Sequence, residues 1–254
     1  PQWIDGKTAA DGNDPMRWPV LREAQWDAAQ SIDNVYAICT IDCGEYDNIH
    51  PLDKRTPGER LANCALRQIY GMDRVPVHGP TVLGFRCDPN GRVRLFFRYA
   101  HGLHFEGTTP GSGDDDFDGQ LPTLVRVPER SGFELAGSDG MFHPATAAIF
   151  VDCDIDDLVN SRVNVVDYNA TEFGIPINSR SIGTITLATP DVPEPVAMRY
   201  AWRSWGPAPL FNDDGLPAQP FRLDLTDHTA PADHTAPAEH AEPAEPVTPD
   251  DTAD

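Results

Sequence analysis

The sequence predicts a chain of mixed fold class, with an α/β segment, an all-β domain and a disordered acidic tail. The first part alternates between helical and strand patterns. A middle part shows short strand patterns separated by Gly, Pro, Asn and Asp turns, and the last part repeats Pro, Ala and acidic residues. These changes place the predicted boundaries at residues 1–75, 76–205, 206–224 and 225–254, where 206–224 is a segment that returns to the first part.

The α/β segment is predicted from two helices on either side of an apolar strand. A helix begins near Trp18, with a proline acceptable in its first turn. Residues 35–41 form an almost wholly apolar run, which is typical of a strand buried on both faces of a sheet. A capping box of Thr56 and Glu59 opens the second helix, and Gly71 ends it. Such a strand needs neighbours that the preceding residues do not supply, so we expect the last piece of a larger α/β domain.

The all-β domain is predicted from a hairpin and a series of further strands. Residues 81–87 and 92–99 are strand patterns around Asp88-Pro89-Asn90-Gly91, whose Asn-Gly pair indicates a hairpin turn. Short strands without helices between them favour an antiparallel β-sandwich of the jelly-roll kind. The further strand candidates are residues 123–127, 132–135, 146–151, 162–166, 182–187 and 197–202.

Charge and composition restrict the partners that we expect. The chain of 254 residues has 40 acidic and 19 basic residues, a formal net charge of -21. It should repel phosphate backbones and anionic lipids, so no nucleic-acid or membrane partner is expected. The five cysteines are irregularly spaced without a Cys-x-x-Cys pair, which argues against a disulfide framework or zinc site. No metal or other cofactor is predicted, and unpaired thiols weakly favour the cytoplasm.

The motif Asp47-Asn48-Ile49-His50 contains the pair of residues that looks most catalytic. It follows the apolar run at 35–41, and ligands gather beyond the carboxyl ends of strands in α/β folds. A carboxylate at Asp47 could accept the Nδ1–H of His50 and turn Nε2 towards a nucleophile, as two members of a Ser-His-Asp triad do. A structural histidine that caps the following helix is the alternative.

Several blocks of sequence carry a family resemblance. They are Trp18-Pro19-Val20-Leu21-Arg22-Glu23-Ala24-Gln25, Thr40-Ile41-Asp42-Cys43-Gly44-Glu45, Asn48-Ile49-His50-Pro51-Leu52-Asp53-Lys54-Arg55, Gly58-Glu59-Arg60-Leu61-Ala62, Val196-Ala197-Met198-Arg199-Tyr200-Ala201-Trp202, Leu210-Phe211-Asn212 and Gly215-Leu216-Pro217-Ala218-Gln219-Pro220-Phe221-Arg222. With them the chain resembles the carboxyl-terminal part of the sialate O-acetylesterase branch of the SGNH (GDSL-type) esterases. The resemblance implies the last part of an SGNH three-layer α/β domain, followed by the β-sandwich and the acidic tail.

The resemblance also implies roles for site residues. His50 would be the general base that deprotonates a serine, and then the acid that protonates the leaving sugar. Asp47 is the preferred orienting carboxylate, with Glu45 and Asp42 as alternatives. The family's Gly-Gln-Ser-Asn nucleophile block and its oxyanion donors do not occur in this sequence. Without them this chain alone should be almost inactive.

The expected function is therefore the His/Asp half of a serine carbohydrate esterase that removes O-acetyl groups from sialic acids or related sugars. Its partners would be the O-acetylated sugar and the missing amino-terminal half of the esterase domain. Two alternatives are a non-catalytic carbohydrate-binding or interaction module and an esterase for acetylated xylan. Trp202 and Trp205 could stack on a sugar, although two tryptophans near a strand end are more often core residues.

Overall fold

The structure of the chain is a computed structural model that describes residues 2, 17–46, 48–106, 124–150, 164–165 and 182–226. Its helices are α1 (Arg17–Ser31) and α2 (Arg55–Gln68), with a short 3-10 turn (Ile41–Cys43) between them and a second one (Pro128–Arg130) later. Its strands are β1 (Thr81–Cys87), β2 (Val93–Arg98), β3 (His104–Phe105), β4 (Leu124–Val125), β5 (Phe133–Ala136), β6 (Phe142–Pro144), β7 (Thr146–Phe150), β8 (Asn164–Val165), β9 (Gly183–Ala188), β10 (Ala197–Tyr200), β11 (Leu210–Phe211) and β12 (Phe221–Asp224).

The predicted strand at residues 35–41 is wrong. Residues 35–40 belong to no sheet, and Ile41 begins the 3-10 turn. Val35 and Tyr36 are exposed, so the run is not buried on both faces. A strand needs a neighbour to share its backbone hydrogen bonds. Every strand in the described ranges begins after residue 80, and none of them pairs with this run.

Both predicted helices form, but α2 begins differently from the prediction. It starts at Arg55, one residue before the expected capping box. The carboxylate of Asp53 accepts the backbone N–H of Thr56 at 3.0 Å, so Asp53 does the work expected of Thr56. Glu59 accepts instead from Arg55 Nε at 2.6 Å. Gly71 has φ +69°, the left-handed conformation that suits a glycine just after a helix.

The described strands form three antiparallel sheets. The orders are β4-β7-β9-β2-β1-β8 in a sheet of six, β12-β10-β5-β6 in a sheet of four, and β11-β3 in a pair. The predicted hairpin is confirmed, since β1 and β2 pair across a turn in which Gly91 has φ +80°. The other strand candidates correspond to β4, β5, β7, β8, β9 and β10, whereas β3, β6, β11 and β12 were not predicted. The chain is thus rich in antiparallel sheet, with mixed α/β content.

One hydrophobic core joins the two larger sheets. Phe133, Tyr200 and Phe221 pack together there with ring centroids 4.5 to 6.5 Å apart. The Tyr200 hydroxyl is buried and accepts the backbone N–H of Leu210 at 2.9 Å. Among the described residues that precede β1, only Ile41 belongs to this core. The helices therefore lie outside the core, and neither is long and apolar enough to cross a membrane in the part of the chain that is described.

Arginine side chains fasten both helices to distant backbone. Arg22 of α1 donates to the carbonyls of residues 203–204 at 3.0 and 3.1 Å. Arg60 of α2 donates to the carbonyls of Cys39 and Gly215 at 2.8 and 3.3 Å. These charge-assisted hydrogen bonds place the two helices against loops of the β-rich part without burying them in its core.

Some sequence predictions fall outside the described residues. Asp47 is one of them, as is the acidic tail from residue 227 onward. The predicted domain boundaries and the jelly-roll arrangement of the sandwich stay predictions.

Candidate active site

His50 lies on the loop between the first 3-10 turn and α2. We call residues 45–52 the histidine loop, of which all but Asp47 are described. His50 is exposed, and its backbone N–H donates to Asn48 Oδ1 at 3.0 Å. Its ring makes no hydrogen bond to any residue that the structure describes. The ring is therefore accessible to a group from outside these residues, and it does not cap the helix that follows.

Glu45 closes the histidine loop at its base. Its Oε1 accepts the backbone N–H of Leu52 at 2.6 Å, and its Oε2 accepts a side-chain N–H of Asn48 at 2.7 Å. Glu45 and Asn48 also form an isolated β-bridge. The Leu52 hydrogen bond, followed by that from Asn48, lowers the pKa of the Glu45 carboxyl. Both oxygens of Glu45 are thus engaged in shaping the loop rather than in orienting the His50 ring.

Asp42 is engaged by Arg60 of α2. The two guanidinium nitrogens of Arg60 donate to the two Asp42 oxygens at 2.6 and 2.7 Å, which is a bidentate ion pair. The Arg60 side chain is 9% exposed and that of Asp42 is 26% exposed, so the pair is largely screened from water. This contact holds the start of the loop region against α2. Asp42, like Glu45, makes no described contact with His50.

The nearby thiols are unsuited to act as nucleophiles. Burial raises the pKa of the Cys39 thiol to about 11. Burial and then the Asp42 carboxylate raise the pKa of the Cys43 thiol to about 12. Both are protonated at neutral pH, and a thiol attacks as its thiolate. The hydroxyl of Ser31 donates to the carbonyl of Asp27 at 2.6 Å at the end of α1, so its proton is engaged by the helix backbone.

A cleft of about 260 Å³ is connected to the histidine loop through one of its lining residues, Trp205. Trp202 and Trp205 line it. Trp202 is buried, as the sequence led us to expect of a core residue, but Trp205 is 36% exposed. The Trp205 ring meets Tyr46 of the histidine loop with centroids 5.6 Å apart and planes at 76°. The spacing of the tryptophans could not distinguish the buried ring from the exposed one.

The described residues contain no group of three or more His, Cys, Asp and Glu side chains that could hold a metal ion. The chemistry that the described geometry allows is proton transfer by an exposed imidazole.

Comparisons with known proteins place the chain near one class of enzyme. No family model matches the chain, and no curated protein matches it. Among solved structures, a novel carbohydrate acetylesterase from Xanthomonas citri matches 84% of this chain with a TM-score of 0.55 and 28% sequence identity. The match covers 38% of that enzyme's chain, so this chain spans well under half of its length. This chain is therefore similar, over most of its length, to part of a carbohydrate acetylesterase.

Proposed function

We propose that this chain is the carboxyl-terminal portion of a serine carbohydrate esterase of the SGNH type, which removes O-acetyl groups from sialic acids or related sugars. The observation that carries the proposal is the similarity to the Xanthomonas citri acetylesterase over 84% of this chain. The exposed imidazole of His50, on a loop braced by Glu45, supports the same conclusion. In this proposal the β-rich part is a jelly-roll sandwich attached to the esterase domain.

His50 is the residue that moves protons in this proposal. Its Nε2 takes the proton of a serine hydroxyl supplied by the amino-terminal half, while the serine oxygen attacks the acetyl carbonyl carbon. The imidazolium then gives that proton to the sugar oxygen as the ester bond breaks, which leaves an acetyl-serine. The same nitrogen deprotonates a water molecule, whose oxygen attacks the acetyl carbon. The imidazolium then returns this proton to the serine oxygen as it leaves, and the acetic acid that is released ionises to acetate.

Asp47 orients the imidazole in this proposal. The other two candidates, Asp42 and Glu45, use both of their carboxylate oxygens in contacts with Arg60 and with the loop itself. Moving either carboxylate towards His50 would break hydrogen bonds that are shorter than 2.8 Å. Asp47, three residues before His50, is the remaining candidate.

The missing half of the esterase domain is proposed to cover an exposed apolar surface on residues 17–72. Twelve of the sixteen exposed large hydrophobic residues of the described ranges fall in this stretch. They include Leu52, Ile69 and Tyr70, which are 85%, 66% and 73% exposed. Apolar groups concentrated in this way mark a surface that packs against other polypeptide. Residues 35–40, which lack a strand partner here, are the natural place for that polypeptide to add a parallel strand.

The experiment that tests the proposal combines this chain with the polypeptide encoded directly upstream. Acetate release is measured on O-acetylated sialic acid, acetylated xylan and an aryl acetate, with each part alone and with both together. We expect turnover only with both parts. His50→Ala should then reduce kcat about 10⁴-fold or more, and Asp47→Asn about 10²-fold or more.

Glu45→Gln is the matched control for the acid, because it neutralises a loop carboxylate that does not orient His50. It should reduce kcat less than about tenfold. Activity that survives His50→Ala in the combined enzyme would disprove the assigned role. Preference for acetylated xylan would replace the sialate assignment, and sugar binding without any turnover would make the chain a carbohydrate-binding module.

A further inference from the structure

The cleft lined by Trp205 has the composition of a sugar site. It opens between the ends of β5 and β10 and the segment 201–207. Apolar walls come from Trp205 and Pro207, and a charged floor comes from Glu134 with Arg203. Carbohydrate rings present both kinds of surface, because their C–H faces are apolar and their rims carry hydroxyl groups. A volume of about 260 Å³ suits one such ring rather than a larger ligand.

The floor of the cleft is a buried carboxylate shared by two arginines. Glu134 is 5% exposed, and its two oxygens accept from Arg199 Nε and from Arg203, each at 2.6 Å. The Arg203 side chain is nevertheless 45% exposed. A guanidinium fixed at one edge by a carboxylate presents its other N–H donors in a rigid plane, which suits a pair of neighbouring hydroxyl oxygens.

Trp205, which lines the cleft, forms an exposed aromatic corner with Tyr46 of the histidine loop. Trp205 and Tyr46 are 36% and 48% exposed, and their rings stand nearly at a right angle. Large aromatic rings that keep one face towards water offer an apolar platform with a polar handle at the edge. The apolar face of a pyranose can rest on such a ring while its hydroxyl groups reach the guanidinium.

The segment that carries Trp205 is held rigidly before any ligand arrives. Arg22 of α1 donates to the carbonyls of residues 203–204. The side chain of Gln2 exchanges two hydrogen bonds with the backbone of Gly206, at 2.9 and 2.7 Å. A site whose backbone is already ordered loses little conformational entropy on binding. The platform therefore has the preorganisation that a binding site requires.

We infer that this cleft binds a pyranose ring of the glycan that carries the acetyl ester, with Trp205 as stacking platform and Arg203 as hydroxyl ligand. The inference rests on the proposed function, because it places the sugar next to the loop of His50. Tyr46 connects the histidine loop with the cleft, because it lies four residues before His50 and its ring contacts that of Trp205. Contacts to a ring that does not react would hold the ester in place and contribute to transition-state binding.

Sugar binding by the full chain, without the upstream part, tests this inference. N-acetylneuraminic acid and xylotriose serve as probes in titration calorimetry and in saturation-transfer NMR. At least one probe should bind, and Trp205→Ala and Arg203→Gln should each weaken its binding about tenfold or more. Phe150→Ala removes an exposed aromatic residue at the end of β7 and should leave the affinity unchanged.

The result that overturns the inference is binding of neither probe, or equal affinity in the wild type and in both cleft variants. This result is independent of catalysis, because no nucleophile is needed for binding. If the combined enzyme is inactive while Trp205→Ala still abolishes sugar binding, the proposed function fails and the cleft assignment stands. Alternatively, the combined enzyme is active while the cleft variants do not change its preference, measured as the ratio of kcat/KM for glycan ester to that for aryl acetate. In that case the cleft assignment fails and the proposed function stands.

Discussion

His78 makes the stability of the fold depend on pH in a direction that can be measured. Its ring stacks on Tyr99 with centroids 4.6 Å apart, and its carbonyl accepts from Asn212 at 3.0 Å. Burial, with smaller contributions from the charges of Arg67 and Arg98, lowers the pKa of His78 from 6.5 to about 4. The perturbation is a change of pH, combined with His78→Phe, which keeps an aromatic ring but cannot titrate.

The magnitude follows from the difference between the two pKa values. Between pH 6.5 and about 4 the unfolded chain binds a proton at residue 78 that the folded chain does not bind. The contribution of His78 is therefore complete above pH 6.5 and is lost as the pH falls. At pH 5 the loss is a factor of about thirty in the folding equilibrium, or about 2 kcal/mol, and at pH 4 it is about 3 kcal/mol.

The assay is urea unfolding of the wild type and His78→Phe at pH 7.5 and at pH 5. Both proteins lose stability with acid because other carboxylates titrate, so the informative quantity is the difference between them. The wild type should lose about 2 kcal/mol more than the variant over this range. An NMR titration of the His78 ring gives the pKa directly. Equal pH dependence of the two proteins, or an NMR pKa near 6.5, would refute the reasoning.

Two further predictions concern polar groups that hold the fold together. Arg60→Met leaves the Asp42 carboxylate without its bidentate partner, so urea unfolding should show a free energy of unfolding lower by about 2 to 4 kcal/mol. Arg55→Met, which breaks an exposed ion pair, is the control and should lower it by less than about 0.5 kcal/mol. Asn212→Ala removes a buried side chain that makes three hydrogen bonds, and should lower the free energy of unfolding by about 3 kcal/mol in the same assay. Asn63→Ala on α2 is the control and should lower it little. Equal effects of the two variants would contradict this account.

Local signals were sufficient to predict the hairpin and most strands. The Asn90-Gly91 turn is determined by neighbouring residues, because Gly91 adopts φ +80° at little cost. The strands next to it show apolar residues that become buried in one core, such as Leu95 and Phe97. The two-residue strands β4 and β8 fall within longer strand patterns of the sequence, whereas β3 and β11 fall within none, so these two were not predicted.

The strand predicted at residues 35–41 shows the limit of predicting a strand from apolar residues alone. An apolar run indicates that a segment can be buried, but it does not indicate whether a neighbouring strand is present to pair with it. The long-range polar contacts have no local signal either. Asn212 reaches the carbonyls of His78 and Tyr99, which are more than a hundred residues away in sequence.

For the candidate site, the sequence could name residues but not their contacts. The sequence singled out His50, and the structure leaves its ring exposed on a braced loop. The sequence left three acids open as its partner, because Asp42, Glu45 and Asp47 all lie within eight residues of it. In the structure Asp42 is engaged by Arg60, and Glu45 by the backbone of the histidine loop. The sequence could not show the first contact, because it does not give the position of α2 relative to Asp42. The role of Asp47 stays a proposal.

The attachment of the helices through carbonyl oxygens has a consequence for how such chains can diverge. Arg22 and Arg60 donate to main-chain acceptors at residues 203–204, at Cys39 and at Gly215. Every amino acid provides a carbonyl, so mutations at those acceptor positions do not require a compensating mutation at the arginine. Related proteins should therefore retain the two guanidinium groups opposite varying residues at these carbonyl positions, and correlated mutation would detect the pair of Arg60 with the Asp42 side chain but not the contacts with the main chain.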